Sequence, residues 1–409
     1  MTADSKFVQL GIQAGQVFTP GAPINEKDLF AGRIEQVRQI LDSVNQRGYH
    51  VVLYGERGVG KTSLSNVLSS FLGGGQLLFS RTNCDASDDY TSLWKKAFSE
   101  VIYTSRRQKA GFVGGDIEEA QKLVDTLPEK LTPDIVRRLL SQLATSLTVV
   151  AIFDEFDRLK DPTIVQLMAD TIKVLSDYSV PATVLIIGVA DSVDDLIHEH
   201  HSIERALVQI PMPRMSDQEV TEIINRGLGR LGMSITNTAL AEIVDLSQGL
   251  PYIAHLLGLN CARSAIGRES LEIGGNDGGA GIDKALDQWQ HSIKSSYYEA
   301  TKSPQPGHIY KEVVLACSLA EVDDLRYFTA ASVRKPLRLI TGKDYDIPNF
   351  ARHLKELSEA GRGGILQRTG EKRRIRYRMV SPMLRPYIVM RAFKEKMLTR
   401  AMLTKLQSS

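Results

Sequence analysis

The sequence predicts an α/β protein, with a parallel sheet covered by helices on both faces and a smaller C-terminal domain of helices and a hairpin. Three observations carry this expectation. Between Leu29 and about Ala262, short runs rich in Val, Ile and Leu alternate with longer amphipathic stretches, the rhythm of strand and crossover helix. A glycine-rich turn, GERGVGKT from Gly55 to Thr62, joins one such run to one such stretch. The charge is divided along the chain: Ser303 to Ser409 holds 21 Lys and Arg against 10 Asp and Glu, net +11, which leaves net −9 on residues 1–302.

The chain has 409 residues, 43% of them hydrophobic and 24% charged, enough for two or three domains with ordinary cores. Wholesale disorder, a fibrous repeat and a small stapled scaffold are excluded. Cys84, Cys261 and Cys317 lie far apart, with no CxxC pair, against a disulfide framework or a cysteine-based zinc site. The longest apolar run, Ala182 to Ala190, is about half a membrane span, and Met1 to Phe18 lacks a basic cap before an apolar core. A cytoplasmic protein with no membrane partner is therefore expected.

Residues 1–28 are polar and turn-rich and read as an N-terminal arm. Residues 29–210 hold the expected strands, His50 to Tyr54, Leu77 to Asn83, Thr148 to Phe153, Thr183 to Val189 and Leu207 to Ile210, whose unbroken apolar character suits burial on both faces. Residues 211–302 read as helical, interrupted near 267–281, where IGGNDGGAG packs five glycines into nine residues and predicts a loop. Residues 303–409 form the basic domain. A short basic tip, Arg106 to Lys109, reads as a solvated turn.

Gly55 to Thr62 matches GxxxxGK[ST] in the strand–loop–helix context that its chemistry requires. Glycines turn backbone N–H groups inward around a β-phosphate, and the helix N-terminus adds its positive dipole end. Lys61 reaches the β/γ oxygens and Thr62 ligates Mg²⁺; the binding set is Gly55, Gly58, Val59, Gly60, Lys61, Thr62 and Ser63. The partner strand, TVVAIF, ends in Asp154 and Glu155, 93 and 94 residues after Lys61. Asp154 is suited to hold the hydrated Mg²⁺ and Glu155 to polarise the attacking water. A P-loop NTPase fold with ATP and Mg²⁺ as cofactors follows.

These residues resemble the AAA+ ATPases, in the branch shared by origin-recognition-type initiators, transposition regulators and signal-transducing switch ATPases. The resemblance covers 29 to about 262. Phe30, Gly32 and Arg33 look like the FxGR segment that packs on adenine, and Thr82, Asn83 and Cys84 end the second strand as in the initiators. Asp191 and Ser192 lie where the family places sensor 1; a carboxylate there repels a γ-phosphate, so Ser192 is the alternative, or hydrolysis is slow. Arg205 resembles an arginine finger, delivered by a neighbouring subunit, which implies a homo-oligomer through the ATPase domain. Gly249, Leu250 and Pro251 resemble the GxP of the helical lid, where Pro251 contacts the base; Tyr252 stands near where initiators carry a sensor 2 arginine.

In the C-terminal domain, Phe350, Leu354 and Leu357 share one helical face, with Arg352 and Lys355 pointing elsewhere. Two short β-runs follow, and Arg362 to Arg378 holds seven Lys and Arg and one Glu. This order resembles a winged helix, with Arg352 and Lys355 on the recognition helix and Arg368, Lys372, Arg373, Arg374 and Arg376 on the wing facing DNA. The expected function is a nucleotide-dependent assembly ATPase that engages DNA. The alternative is a nucleotide-gated signalling switch, for example in phage defence, whose winged helix docks a protein effector.

Overall fold

The computed structural model describes residues 3–24, 30–72, 77–108, 116–145, 147–197, 203–303, 307–371 and 374–407. The chain divides into two compact units, Pro23–Arg214 on one side and Met1–Ala22 with Met215–Ser409 on the other.

The unit Pro23–Arg214 contains β1 (His50–Gly55), β2 (Leu77–Asn83), β3 (Ile102–Gln108), β4 (Asp116–Lys122), β5 (Thr148–Asp154), β6 (Ala182–Val189) and β7 (Leu207–Pro211). Five of these form one sheet in the order β2-β5-β6-β1-β7, every neighbouring pair parallel. Parallel neighbours need crossovers, and the crossover helices cover both faces. The consequence is burial of β5 from Val149 to Asp154 and of β6 from Ala182 to Ile187. Because the strands run parallel, the carboxyl ends of β1, β5 and β6 lie at one rim. The register sets Asn83 beside Asp154 and Gly55 beside Val189.

On one face the core is built on Trp94, stacked on Phe98 at 5.6 Å and edge-on to Phe153 at 5.0 Å between ring centroids. The helix that supplies Trp94, Tyr90–Phe98, starts at a reciprocal cap: the Ser92 N–H donates to Asp89 Oδ1 at 2.7 Å and the Asp89 N–H to Ser92 Oγ at 2.9 Å. The helices Pro133–Leu143 and Pro162–Asp177 each open on proline, behind Thr132 and Asp161 caps. The basic tip expected as a turn is strand as far as Gln108: β3 and β4 pair antiparallel, with Arg106 opposite Glu118. Lys109 lies outside the described residues.

In the other unit, the segment read as an arm is helical from Ala3 to Val17. Leu10, Ala14 and Val17, at i, i+4 and i+7, are buried, and Phe18 is fully enclosed. Phe18 lies against Gly227 and Gly258, where any Cβ would come within 3 Å of its ring. Those glycines belong to the helices Asp217–Leu231 and Pro251–Gly267. Burial of an apolar face thus overrides the turn-rich composition of this terminus.

The glycine-rich segment also departs from expectation, since a helix runs from Gly275 to Gln288. Close packing explains two of the five glycines: a Cβ on Gly281 would stand 2.5 Å from Cys261 Sγ and one on Gly278 2.5 Å from Glu242 Oε2, whereas Gly275 and Gly279 face open space. Asp277 secures the first turn by accepting from the Gly274 N–H at 2.8 Å and pairing with Arg268 at 2.7 Å. A short parallel pair, β8 (Ser234–Ile235) and β9 (Glu272–Ile273), completes this part.

Toward the C-terminus come the helices Tyr310–Leu319, Ala330–Thr341 and Ile347–Leu357, then an antiparallel hairpin of β10 (Leu366–Thr369) and β11 (Arg376–Met379). Phe350, Leu354 and Leu357 have no exposed surface. Two further helices, Leu384–Lys394 and Arg400–Gln407, end the unit. Among the described residues no helix is long and apolar enough to cross a membrane.

Candidate functional site

The rim of the sheet gathers most of the residues singled out from sequence. β1 runs into the glycine loop, in which Gly58 and Gly60 have φ of 87° and 99°, left-handed values that glycine adopts without strain. Gly55, at φ 151°, is required for a second reason as well, because a Cβ there would stand 2.5 Å from the Met212 carbonyl oxygen. The loop ends at Lys61, first residue of the helix Lys61–Leu72. Lys61 is 8% exposed and its Nζ donates to the Gly55 and Glu56 carbonyls at 2.8 and 2.9 Å. Burial lowers its pKa to about 8, opposed by the nearby carboxylates of Asp157, Asp154 and Glu56.

Val59 is fully buried and its carbonyl accepts from Arg33 Nη2 at 3.1 Å. The same nitrogen donates to the Pro213 carbonyl at 2.6 Å, so Arg33 braces the loop against the segment after β7. Phe30 packs edge-on to Phe71 at 6.4 Å. Thr62 is half-buried, and the Ser63 hydroxyl accepts the Ile24 N–H at 3.2 Å.

Asp154 ends β5 at the same rim and is 2% exposed. Its Oδ1 accepts the Glu155 N–H at 2.9 Å, and its Oδ2 accepts from Arg81 Nη2 at 2.9 Å. Glu155 has φ 58°, a left-handed value that turns its side chain out of the strand direction; the carboxylate is half-exposed and pairs with Arg158 at 2.7 Å. Asp157 accepts the Val189 N–H at 2.8 Å and so ties this turn to the end of β6. Beyond β6, the Ser192 hydroxyl donates to Asp195 at 3.1 Å, and the Asp191 and Ser192 N–H groups donate to the same oxygen at 3.2 and 2.9 Å. Ser192 is thereby engaged in capping its own turn.

Arg205 is 81% exposed at its side chain and pairs at 3.2 Å with Asp177. Pro251 opens a helix of the other unit, after Gly249 at φ 73°. Sequence reasoning offered Arg214 only as an alternative finger to Arg205, whereas it grips the loop residue Glu56 through two bonds of 2.6 and 2.8 Å, and it missed Arg81, which bonds Asp154, Asn83 and Asn66. Arg81 carried a readable signal, a cation inside a strand whose other residues suit double-sided burial.

Within the hairpin unit, Arg352 pairs with Glu356 at 2.6 Å, and Glu356 also accepts from the Tyr310 hydroxyl. Arg376 pairs with Asp323 at 2.8 Å. Lys355, Arg368 and Arg374 are exposed, whereas Lys372 and Arg373 lie outside the described residues.

The donor set fits a nucleotide and a divalent cation. A buried lysine held only by carbonyls, beside positive-φ glycines at a helix N-terminus, suits phosphate oxygens. The hydroxyl of Thr62 and the carboxylate of Asp154 are hard oxygen donors of the kind Mg²⁺ takes.

Residues 30–187 match the AAA ATPase domain family. Among solved structures, the chain is similar to a Walker-type ATPase of Pyrococcus abyssi, at 16% identity and a TM-score of 0.55, over 91% of this chain and 99% of that one. It is also similar to the ORC2 protein of Aeropyrum pernix, determined as ADPNP-ADP complexes, at 14% identity and a TM-score of 0.51, over 96% and 98%. No curated protein matches the sequence. The fold is that of a P-loop NTPase, and the match of residues 30–187 to the AAA ATPase domain supports ATPase activity.

Proposed function

We propose that the protein is a nucleotide-dependent regulator that binds ATP with Mg²⁺ at the Gly55–Ser63 loop, assembles with copies of itself, and engages DNA through its basic C-terminal hairpin. The observation that carries this is Lys61 and Asp154 at one rim of one parallel sheet, with Glu155 next in the chain. Thr62 and Asp154 would hold Mg²⁺, which supplies neutralisation of phosphate charge when bound. Lys61 exchanges the Gly55 and Glu56 carbonyls for β/γ oxygens. Glu155 turns from Arg158 toward water and accepts its proton; the water oxygen bonds to the γ-phosphorus as the bridging P–O bond to ADP breaks.

The exposure of Arg205 supports its delivery to the nucleotide of a second copy. Phe30 and Arg33 serve the base side of the pocket, Arg33 through the loop it braces, and Pro251 belongs to a lid. In this reading 29–210 is the ATPase core, 211–302 the lid and linker, and 303–409 a winged helix, with the N-terminal helix packed on the lid helices of its own unit. The three helices and hairpin of 310–379 support the last assignment. Exposed Lys355, Arg368 and Arg374 support a phosphate-tracking face, to which the sequence adds Lys372 and Arg373. The ion pairs of Arg352 and Arg376 favour the second reading, a switch whose hairpin docks a protein effector, because they neutralise part of that face.

Thermal unfolding with ATP and Mg²⁺ tests the site. Ligand at 100 times its dissociation constant adds about 2.7 kcal/mol of apparent stability. Lys61→Ala is expected to abolish that gain, and Glu155→Gln to keep it while losing phosphate release. A gain that persists in Lys61→Ala overturns the assignment.

A further inference from the structure

We propose that Arg81 is a positioning residue for the metal side of this site, a resident cation that holds Asp154 and sets the divalent-cation concentration the nucleotide complex needs. The inference rests on Asp154 being the metal-side carboxylate. Arg81 projects from β2 opposite Ile152 of β5, two residues short of the rim. Its guanidinium donates to Asp154 Oδ2 at 2.9 Å and to Asn83 Oδ1 at 3.2 Å, and also to Asn66 Oδ1. Asn66 follows Thr62 by four residues on the helix Lys61–Leu72, so it stands on the same helical face one turn away. Arg81 therefore spans from the end of β5 to the helix face that carries the other metal-side residue.

Asp154 is closed in from both sides. Its side chain is 3% exposed, one oxygen accepts the Glu155 N–H, and the other accepts from Arg81. A buried carboxylate without a partner is strongly disfavoured, and here the guanidinium supplies that partner in the absence of metal. The same guanidinium repels a dication that approaches the carboxylate. Metal and Arg81 thus compete for Asp154. An arginine at this place orients the carboxylate toward the P-loop helix and raises the metal concentration at which it binds.

The test uses the full chain with ADP and Mn²⁺, reading free Mn²⁺ by electron paramagnetic resonance, with a fluorescent ATP analogue titrated in parallel against Mg²⁺. Arg81→Gln keeps hydrogen-bonding capacity without charge, and Arg81→Met keeps length alone. In both, the Mn²⁺ and Mg²⁺ concentrations for half-saturation are expected to fall by about tenfold. Arg81→Lys, which restores the charge, is expected to return them to within about threefold of the parent. Should one neutral variant fail to fold, the other and the lysine variant carry the comparison. Unchanged or weakened metal binding in the neutral variants, or an equal shift in Arg81→Lys, overturns the proposal. A parent that binds nucleotide but shows no metal-dependent gain overturns it too. A parent that binds no nucleotide overturns the reading of the site itself.

Discussion

Phe18→Ala asks whether the N-terminal helix is an integral part of its unit. The ring is fully buried, and loss of a buried phenyl costs about 3–5 kcal/mol where the site cannot collapse. The structure also predicts the sign of a second change. A Cβ on Gly227 would stand 2.5 Å from Phe18 Cζ, an overlap that costs about 1–3 kcal/mol. Against this, alanine is favoured over glycine inside the helix Asp217–Leu231 by about 1 kcal/mol. Gly227→Ala is thus neutral to destabilising by about 2 kcal/mol with Phe18 present, and stabilising by about 1 kcal/mol once Phe18→Ala removes the obstacle. Urea unfolding measures both terms: Trp289, 4% exposed, reports this unit, and Trp94→Phe silences the other tryptophan. A Phe18→Ala cost below about 1 kcal/mol, or a Gly227→Ala effect equal in both backgrounds, would refute the packing argument.

Arg205→Ala is expected to bind ATP yet release phosphate slowly, and mixing it with Lys61→Ala subunits to recover activity, because each supplies the half the other lacks; full activity of Arg205→Ala alone moves the finger elsewhere. Changing Lys355, Arg368 and Arg374 together to Ser is expected to flatten the slope of log DNA affinity against log salt by about 2.7, three lost phosphate contacts at about 0.9 each. A parent without salt-dependent DNA binding makes the hairpin a protein-docking surface. His50 is buried neutral, with its pKa lowered by desolvation to about 3 from 6.5, so the unfolded chain takes up a proton that the fold refuses. The unit Pro23–Arg214 is therefore expected to lose stability as pH falls below 6.5, by up to about 1.4 kcal/mol per unit from this residue. His50→Asn, which keeps an acceptor for the Val184 N–H, should flatten that slope as followed by Trp94 fluorescence, and an unchanged slope places the titration elsewhere.

The features legible in the sequence are those in which a local pattern and its physical cause coincide. Strands buried on both faces give continuous apolar runs, so β5 and β6 were readable to within a residue or two. The glycine loop is local as well, since its φ values are set within a few residues. Distant partners were not legible. Arg81 meets Asp154 across 73 residues and Arg214 meets Glu56 across 158, and in both cases the partner is set by which strands become neighbours. Composition misled twice. Gly11, Gly15 and Gly21 diluted the face of Leu10, Ala14 and Val17, and the glycines of 274–281 signalled a loop where a helix runs, two of them, Gly278 and Gly281, pressed against Glu242 and Cys261.

The three motif glycines all hold positive φ, and one of them answers to a neighbour as well, which locates what holds the loop in shape. Gly58 and Gly60 hold left-handed backbone, where any L-residue is strained whatever its surroundings. Gly55 answers to the end of β7: the Met212 N–H donates to the Tyr54 carbonyl at 2.7 Å, which draws the Met212 carbonyl against Gly55. Arg33 then joins Val59 to Pro213, and Arg214 grips Glu56 in two-pronged geometry, so three consecutive residues after Ile210 and Pro211 each fasten one point of the loop. Such a loop is fixed before any ligand arrives. Ordering it on binding would cost about 1–2 kcal/mol per residue of backbone entropy, and here that ordering is already complete. Lys61 adds the charge: its ammonium, disfavoured by burial, is hydrogen-bonded by the Gly55 and Glu56 carbonyls and favoured by the nearby carboxylates of Asp157, Asp154 and Glu56, and an anion accepting from Nζ stabilises it further.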